Sequence, residues 1–330
     1  MKKILNRLTQ YETLTEKESR DIIIDISEGK LNTSEISSFL TIFMIRNITI
    51  EELNGFRKAL IELSLKINLN EFDPIDLCGT GGDEKDTFNI STLASFVTAG
   101  SGVKVAKHGN YGVSSSCGSS NVLEYLDLKF NNDSDKIRKA VDKANICFLH
   151  APLFHPAMKN VAPVRKELGL KTFFNMLGPM VNPSMPKKQV VGVYNLELAR
   201  IYNYLYQTTD INYNIIHSID GYDEISLTKG TKVYSRESEF ILDSKDFSLK
   251  DIDSKNIRGG KDVESSSKIF MDVLNGEASN DQENVVCANA SLAIAISKDI
   301  SIIEAFYKAK ESIKTKNALK CFNELINIMK

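Results

Sequence analysis

The sequence predicts an α/β protein in which a small helical domain precedes a larger α/β domain, whose mostly parallel sheet is flanked by helices. Three observations carry this prediction. The first seventy residues have the apolar spacing of helices. From residue 75 onward, short apolar segments alternate with helical ones. Loops rich in glycine and polar side chains follow the first of these segments, as in α/β proteins that bind ligands at the carboxyl ends of strands.

The N-terminal segment, residues 1–70, predicts four short helices. It contains no proline, and apolar residues recur at helical spacing after its first two helix-start signals. The start signals are capping-box patterns, which occur at Thr15…Glu18, at Asn32…Glu35 in a looser form, and at Thr49…Glu52. The apolar stripes of these helices need partners, which are each other, a later segment of the chain or a second subunit.

The prolines divide the rest of the chain. All seven lie between Pro74 and Pro186, and five of them fall within 152–183. Because proline fixes φ and stops helices, short helices and stiff turns are expected there. We therefore predict a small domain of residues 1–70, completed by helices within 163–188, and a large domain formed by 71–162 and 189–330.

The large domain shows the alternation of a parallel sheet with an added β-rich edge. Strands are predicted at 75–78, 103–106, 190–194 and 213–219, with edge strands at 224–228, 231–235 and 239–242. Helices are predicted at 91–99, 197–207, 263–275, 282–297 and 301–329.

Composition narrows the class of protein. The chain has 330 residues, 42% of them hydrophobic and 25% charged, which is typical of a globular protein. A net charge of −2 provides no basic face for nucleic acid. Five scattered cysteines, without a Cys-x-x-Cys pair, argue against a zinc site or a disulfide framework. With no signal-peptide pattern and no membrane-span pattern, we expect a cytoplasmic protein.

The candidate site begins with a glycine-rich region. Eight of the 18 glycines lie between Gly79 and Gly118, interleaved with hydroxyls, amides and Lys107. Glycine loops expose backbone N–H groups that hold anions, so this composition suits a phosphorylated small molecule. The dinucleotide fingerprint fails at Glu84, and a Walker A sequence is absent. Gly79–Gly82 taken alone remains compatible with an ordinary tight turn.

Other candidate residues are less specific. Asp223 and Glu224 form either a solvated acidic turn or, beside a phosphate site, a pair of Mg²⁺ ligands. The sequence favours neither a functional nor a structural role for His108. Arg165 is either a surface charge or a clamp for a carboxylate. No arrangement of residues predicts a covalent nucleophile.

The motifs in order resemble those of the anthranilate phosphoribosyltransferase family, which belongs to the nucleoside phosphorylase/phosphoribosyltransferase-like folds as class IV phosphoribosyltransferases. Single motifs are weak, but the ordered set is specific and spans about 75–225. The set consists of Gly79–Asp83, Asn89–Thr92, Lys107–Asn110, Gly118–Glu124, His155–Lys159, Pro163–Arg165, Phe174–Pro179 and Asp220–Glu224.

The resemblance implies a Mg²⁺-dependent transfer of the phosphoribosyl group of 5-phosphoribosyl-1-pyrophosphate to the amine of anthranilate. It also implies a homodimer formed through the N-terminal helices. The implied phosphoribosyl pyrophosphate site comprises Gly79, Gly82, Asp83, Thr87, Asn89, Ile90, Ser91, Thr92, Lys107, Gly109, Ser115 and Ser119. The implied anthranilate contacts are Gly79, Asn110 and Arg165, with His108 near the amine, and the implied metal ligands are Ser91, Asp223 and Glu224.

Two departures and two rival readings accompany the resemblance. Tyr111 stands where many relatives have arginine, and Ser120 and Asn121 stand where they often have alanine and aspartate. A pyrimidine nucleoside phosphorylase-like enzyme, which uses inorganic phosphate without the acidic pair, is the nearest enzymatic alternative. A non-catalytic nucleic-acid-binding relative would need a basic groove, which the net charge argues against.

Overall fold

The computed structural model describes residues 1–112 and 117–330, which begin with helices and then alternate between strands and helices. The strands are β1 (Ile75–Leu77), β2 (Val105–Gly109), β3 (Ile146–His150), β4 (Lys188–Gly192), β5 (Asn212–Ser218), β6 (Thr231–Ser235) and β7 (Glu239–Leu242). The α-helices are α1 (Lys2–Thr9), α2 (Glu16–Ser27), α3 (Thr33–Ile45), α4 (Ile50–Leu63), α5 (Ile90–Gly100), α6 (Ser119–Tyr125), α7 (Ser134–Ala144), α8 (Ala151–Phe154), α9 (Ala162–Leu168), α10 (Phe174–Leu177), α11 (Leu196–Gln207), α12 (Val263–Leu274), α13 (Asn280–Lys298), α14 (Ile302–Lys314) and α15 (Asn317–Met329). Short 3₁₀ helices lie at Asn70–Phe72, Pro156–Asn160, Gly178–Val181, Ser244–Phe247 and Ser254–Ile257.

The chain forms two compact units. The helical unit comprises Met1–Ile67 and Ala151–Pro183, and the α/β unit comprises Asn68–His150 and Ser184–Lys330. The four N-terminal helices predicted from the sequence are confirmed. All three capping boxes form, with reciprocal side-chain and backbone hydrogen bonds at the start of α2, α3 and α4.

The segment that completes the helical unit begins at Ala151, twelve residues before the predicted position 163. Its aromatic and amide side chains explain why. The Phe173 ring stacks on Phe56 of α4 at a centroid distance of 4.4 Å. Earlier in the segment, the Asn160 amide donates to the carbonyl oxygens of Ile26 and Ser27 at the end of α2. The apolar stripes of the N-terminal helices therefore find partners within the same chain.

The α/β unit is built on a sheet with strand order β3-β2-β1-β4-β5-β6-β7. The first five strands in chain order pair in parallel, whereas β6 and β7 form an antiparallel edge. The chain runs outward from β1 to β3 and then returns to the other side of β1 as β4. In open α/β sheets, ligands bind at such a switch point, outside the carboxyl ends of the strands. The predicted fold class is confirmed.

Two element predictions are wrong, and a third has the wrong bounds. Residues 224–228 are irregular, because the Asn289 side chain bonds both the N–H and the carbonyl of Ile225 and so replaces a strand partner. The predicted helix 301–329 breaks at Lys316, which has a left-handed φ of 59°. The strand predicted at 103–106 is β2, and it extends to Gly109 through parallel pairing with β3. Sequence reasoning also missed α6, α7 and β3.

Among the described residues, no single helix is both long and apolar enough to cross a membrane. Within the same residues, one pair of helices, α13 and α14, passes that test when taken together, across a bend of 114°.

Candidate active site

The glycine loop leaves the end of β1 and turns sharply beside β4. Gly81 and Gly82 have φ values of 62° and 85°, a region that glycine adopts without steric cost. The backbone N–H of Thr80 donates to the carbonyl oxygen of Gly192 at 2.8 Å. A Cβ on Gly79 would lie 2.9 Å from Asp223 Oδ2, so glycine allows the acidic side chain to approach the loop. The loop is thus held at the switch point between β1 and β4.

The acidic pair joins this loop to the start of α5. Asp223 Oδ2 accepts a hydrogen bond of 2.9 Å from the Gly81 N–H. Glu224 Oε1 accepts a bond of the same length from the Ser91 N–H in the first turn of α5. A carboxylate at a helix N-terminus is favoured by the helix dipole and by the unpaired N–H groups there. Two adjacent acids therefore bring together polar segments that lie far from them in sequence.

The negatively charged forms of Asp223 and Glu224 are disfavoured when no ligand is bound. Burial raises the pKa of Asp223 to about 7, and the nearby Asp83 charge adds to the increase. Burial and the neighbouring carboxylate also raise the pKa of Glu224 well above its ordinary value. No lysine or arginine of residues 1–112 or 117–330 forms an ion pair with either acid. Buried carboxylates without cationic partners are unusual.

These residues fit a Mg²⁺ site completed by substrate. Mg²⁺ prefers a few carboxylate oxygens together with water and substrate phosphates to a cage made only of protein groups. Accordingly, the part of the chain that the structure describes contains no ready cluster of three or more His, Cys, Asp or Glu ligands. A bound cation would favour the charged forms of the Asp223 and Glu224 carboxylates and offset the cost that their raised pKa values indicate. The Ser91 backbone N–H is engaged with Glu224, so its hydroxyl is the group left for a metal role.

Three residues that sequence reasoning missed hold the acidic turn. Ser218 at the end of β5 donates its hydroxyl proton to the Glu224 carbonyl at 2.6 Å. Asn289 of α13 fixes the next residue, Ile225, through the two bonds described above. Gly192 at the end of β4 lies against the Asp223 backbone. The one sign of this role in the sequence is that Asn289 is a polar residue within the apolar, small-residue stretch that forms α13.

Lys107 and His108 lie in β2, beyond residue 106, where the predicted strand ends. Both are buried, and the Lys107 ammonium donates to the Leu77 carbonyl at the end of β1. The His108 N–H donates to Asp76 Oδ1 at 3.1 Å. Lys107 is close enough to Glu224 for its charge to act against the rise in that carboxyl pKa. The lysine thus brings positive charge to the acidic pair from within the sheet.

Several predicted residues lie at or just before the start of α5, next to the acidic pair. Asn89 occupies the N-cap position of α5 without a capping bond from its side chain, and its amide donates instead to the Cys117 carbonyl at 3.2 Å. Thr87 Oγ1 lies 3.5 Å from Glu224 Oε2, while Ile90 and Thr92 are buried in the first turn of α5. Ser115 lies outside the described residues.

Two predicted contact residues, Gly109 and Asn110, lie at the end of β2 and just after it. Gly109 ends the strand, where a Cβ would lie 2.3 Å from the Phe148 ring. The Asn110 carbonyl accepts the Ser119 hydroxyl at 3.1 Å. Ser119 and Asn110 are therefore held side by side.

Arg165 lies on α9 of the helical unit. Its guanidinium donates to Asn175 Oδ1 at 3.0 Å and lies 5.4 Å from the centre of the Phe174 ring. Burial lowers its pKa. No carboxylate among the described residues pairs with it. A largely buried guanidinium without a carboxylate suits the capture of one.

Comparison with known proteins decides the family. The family described as "Glycosyl transferase family, a/b domain" matches residues 71–319, and its helical bundle domain matches residues 2–64. The chain is 60% identical over 325 residues to an anthranilate phosphoribosyltransferase of Christiangramia forsetii, covering 98% of each chain. The chain belongs to the anthranilate phosphoribosyltransferase family.

Other anthranilate phosphoribosyltransferases agree in sequence and structure. The chain is 51% identical to the one of Cytophaga hutchinsonii, over 99% of this chain and 100% of that one. It superimposes with a TM-score of 0.91, at 27% identity, on the Saccharomyces cerevisiae enzyme in complex with PRPP and Mg, covering 98% and 96% of the two chains. The Thermus thermophilus enzyme gives a TM-score of 0.89 at 28% identity, covering 98% of both chains. The family predicted from the sequence is confirmed.

Proposed function

We propose that this chain transfers the phosphoribosyl group of 5-phosphoribosyl-1-pyrophosphate to the amine of anthranilate. The products are N-(5-phosphoribosyl)anthranilate and pyrophosphate, and the reaction is the second step of tryptophan biosynthesis from chorismate. The observation that carries the proposal is the convergence of the glycine loop and the α5 N-terminus on the acidic pair Asp223 and Glu224. The close relatives with this activity named for them support it.

The chemistry needs no nucleophile from the protein. The lone pair of the anthranilate nitrogen forms a bond to C1 of the ribose as the bond from C1 to the pyrophosphate oxygen breaks. The electron pair of the broken bond leaves with pyrophosphate, and the amine loses a proton. The ribose passes through oxocarbenium character, so orientation and stabilisation of the leaving charge are what the protein contributes.

The glycine loop and its neighbours hold the phosphorylated substrate. Gly79, Gly82 and the first turn of α5 are the backbone segments that we assign to its phosphates, and Ser119 is assigned to it through its hydroxyl, which donates to the Asn110 carbonyl in the structure. Lys107 contributes charge from within β2. Asp83, Thr87, Asn89, Ile90, Thr92, Gly109 and Ser115 complete the set of positions assigned to this substrate.

Mg²⁺ belongs to the substrate complex. Asp223 and Glu224, with the Ser91 hydroxyl, are the residues that would hold it, which is supported by the raised pKa values of the two carboxyls when no metal is bound. When bound, the ion neutralises charge on the pyrophosphate oxygens.

Anthranilate is oriented by its carboxylate. Arg165 is the clamp, supported by its buried guanidinium and the absence of a carboxylate partner in the described residues. Asn110 and Gly79 are assigned to the ring of anthranilate, and His108, which lies next to Lys107 in β2, is assigned to the neighbourhood of the amine.

The chain assembles as a homodimer through its N-terminal helices and works in the cytoplasm. The dimer is supported by apolar side chains left at the surface of the helical unit, where Tyr11 and Ile45 are each 73% exposed. The location is supported by five cysteines that are all free thiols. Light scattering after size exclusion tests the dimer, and a variant with both Tyr11 and Ile45 replaced by serine should run as a monomer.

The decisive experiment is fluorescence-detected formation of phosphoribosylanthranilate from the two substrates and Mg²⁺. Product should appear with Mg²⁺ and be lost in chelator, and adding Mg²⁺ back should restore it. A parallel reaction with thymidine and inorganic phosphate in chelator tests the nucleoside phosphorylase alternative. Turnover in that reaction, without phosphoribosylanthranilate in the first, would reverse the assignment.

A further inference from the structure

The side chain of Asn121, in the first turn of α6, is bonded to two parts of the backbone at once. Its Oδ1 accepts the N–H of Gly118 at 3.0 Å and the N–H of Gly112 at 3.1 Å. Because both partners are donors, the amide oxygen and not the nitrogen must face them. One side chain thus links the chain before residues 113–116 to the chain after them.

The two linked segments are in van der Waals contact. A Cβ on Gly118 would lie 2.0 Å from the Gly112 nitrogen. The φ of Gly118 is −78°, so glycine is required there for space and not for a left-handed turn. The carbonyl of Cys117 is also held, by the Asn89 amide at the start of α5.

A second set of bonds fixes the start of α6 to the sheet. The Asn110 carbonyl, just beyond β2, accepts both the Ser119 hydroxyl and the Ser120 N–H. Ser120 Oγ is buried and lies 2.9 Å from Nδ1 of His150, the last residue of β3. The His150 ring stacks on Phe130 at 4.4 Å. The strands β2 and β3 therefore set one side of Ser119, and Asn121 sets the other.

We propose that Asn121 is a positioning residue for substrate binding. By joining the N–H groups of Gly112 and Gly118, it fixes the direction in which α6 starts and so places Ser119 beside Asn110. The inference rests on the proposed role of Ser119 at the phosphorylated substrate. Asn121 itself touches no reacting atom and acts through the backbone that carries Ser119.

The test compares Asn121→Ala with Asn121→Asp. The alanine variant leaves the N–H groups of Gly112 and Gly118 without an acceptor, so Ser119 should be misplaced. The KM for phosphoribosyl pyrophosphate should then rise about tenfold, which is the loss of one hydrogen bond, that of Ser119 to the substrate. Its kcat should stay within about threefold, because the groups at the reacting carbon are unchanged. Asn121→Asp keeps an acceptor oxygen and should restore the KM. Hydrogen exchange of a peptide spanning 110–125 should be faster in Asn121→Ala only.

The matched control is Asn195→Ala. Asn195 caps α11 in the same unit, where its Oδ1 accepts the Leu198 N–H at 2.7 Å. An equal rise in KM in Asn195→Ala, or a wild-type KM in Asn121→Ala, would overturn the inference. So would an Asn121→Ala protein that fails to fold while Asn195→Ala folds, since Asn121 would then stabilise the whole unit.

Ser119→Ala separates this inference from the proposed function. A raised KM in Ser119→Ala with a wild-type KM in Asn121→Ala would overturn the positioning role alone. A wild-type KM in Ser119→Ala, or an inactive wild-type protein, would overturn the proposed role of Ser119 and this inference with it.

Discussion

Gly192 and Asp223 are in direct backbone contact: a Cβ on Gly192 would lie 1.7 Å from the Asp223 carbonyl oxygen. Gly192 ends β4 and its own carbonyl accepts the Thr80 N–H of the glycine loop at 2.8 Å. A single glycine thus allows the acidic turn, the end of β4 and the glycine loop to meet. The contact is between backbone atoms, which cannot move aside as a flexible side chain would.

Gly192→Ala should therefore displace the acidic turn. We expect a loss of about 1–3 kcal/mol in the free energy of unfolding, which is typical of overpacking. Because small misplacements in a site are costly, kcat/KM should fall by about 100-fold. Urea unfolding and steady-state kinetics measure the two effects. Gly178→Ala is the control, since a Cβ there meets nothing within 4 Å; equal effects of both variants would contradict the prediction.

Replacing the acidic pair should weaken metal-dependent turnover. Asp223→Asn combined with Glu224→Gln keeps oxygen acceptors for the Gly81 and Ser91 N–H groups but removes the negative charge. The Mg²⁺ concentration for half-maximal rate should rise, and the maximal rate should fall, about 100-fold or more. Asp210→Asn with Glu237→Gln removes two exposed acids of the same unit and should change neither. Unchanged kinetics of the first variant at limiting Mg²⁺ would exclude the pair from the site.

Arg165→Ala should weaken the binding of anthranilate and not that of phosphoribosyl pyrophosphate. Loss of a charge-assisted bond to a carboxylate costs about 1.5–3 kcal/mol, so the KM for anthranilate should rise about 10- to 100-fold. The KM for phosphoribosyl pyrophosphate should change far less. Arg165→Lys should restore little, because an ammonium cannot form the paired bonds of a guanidinium. Lys166→Ala, at the exposed neighbouring position, is the control. An equal rise in both KM values would assign Arg165 a structural role.

His150 should make the protein less stable in mild acid. Burial lowers its pKa to about 4, and the Glu124 carboxylate only partly opposes this. The unfolded chain, with a histidine pKa of about 6.5, then binds the proton more tightly, so stability is lost as pH falls from about 6.5 toward 4. Between pH 7 and pH 5 this one group should cost about 2 kcal/mol of the free energy of unfolding.

His150→Phe, which keeps a ring against Phe130, should reduce the pH dependence of unfolding by that amount. Ser120→Ala removes the hydrogen bond to Nδ1 but keeps the imidazole, so its pH dependence should match the wild type. Urea unfolding at pH 7 and pH 5 measures both. A His150→Phe protein with the wild-type pH dependence would contradict the assignment.

Local sequence patterns predicted those parts of the structure that depend on neighbouring residues alone. The three capping boxes predicted the starts of α2, α3 and α4, because each depends on residues three positions apart. Local signals failed where a group distant in sequence determines the backbone conformation. Residues 224–228 have the composition of a strand, but Asn289 of α13 occupies the bonds of Ile225. Likewise, β2 extends through Lys107 and His108 because β3, which the sequence pattern did not reveal, pairs along its full length.

The amino-acid sequence by itself determined the family, the fold class and the set of glycine, hydroxyl and acidic residues that we assign to the site. It could do so because ordered motifs and short-range periodicity are written in neighbouring residues. Only the tertiary structure decided which of these groups meet. Asp223 bonds Gly81 across 142 positions and Glu224 bonds Ser91 across 133. Those contacts follow from the order of strands in the sheet, which places the ends of β1, β4 and β5 side by side and which no local propensity specifies.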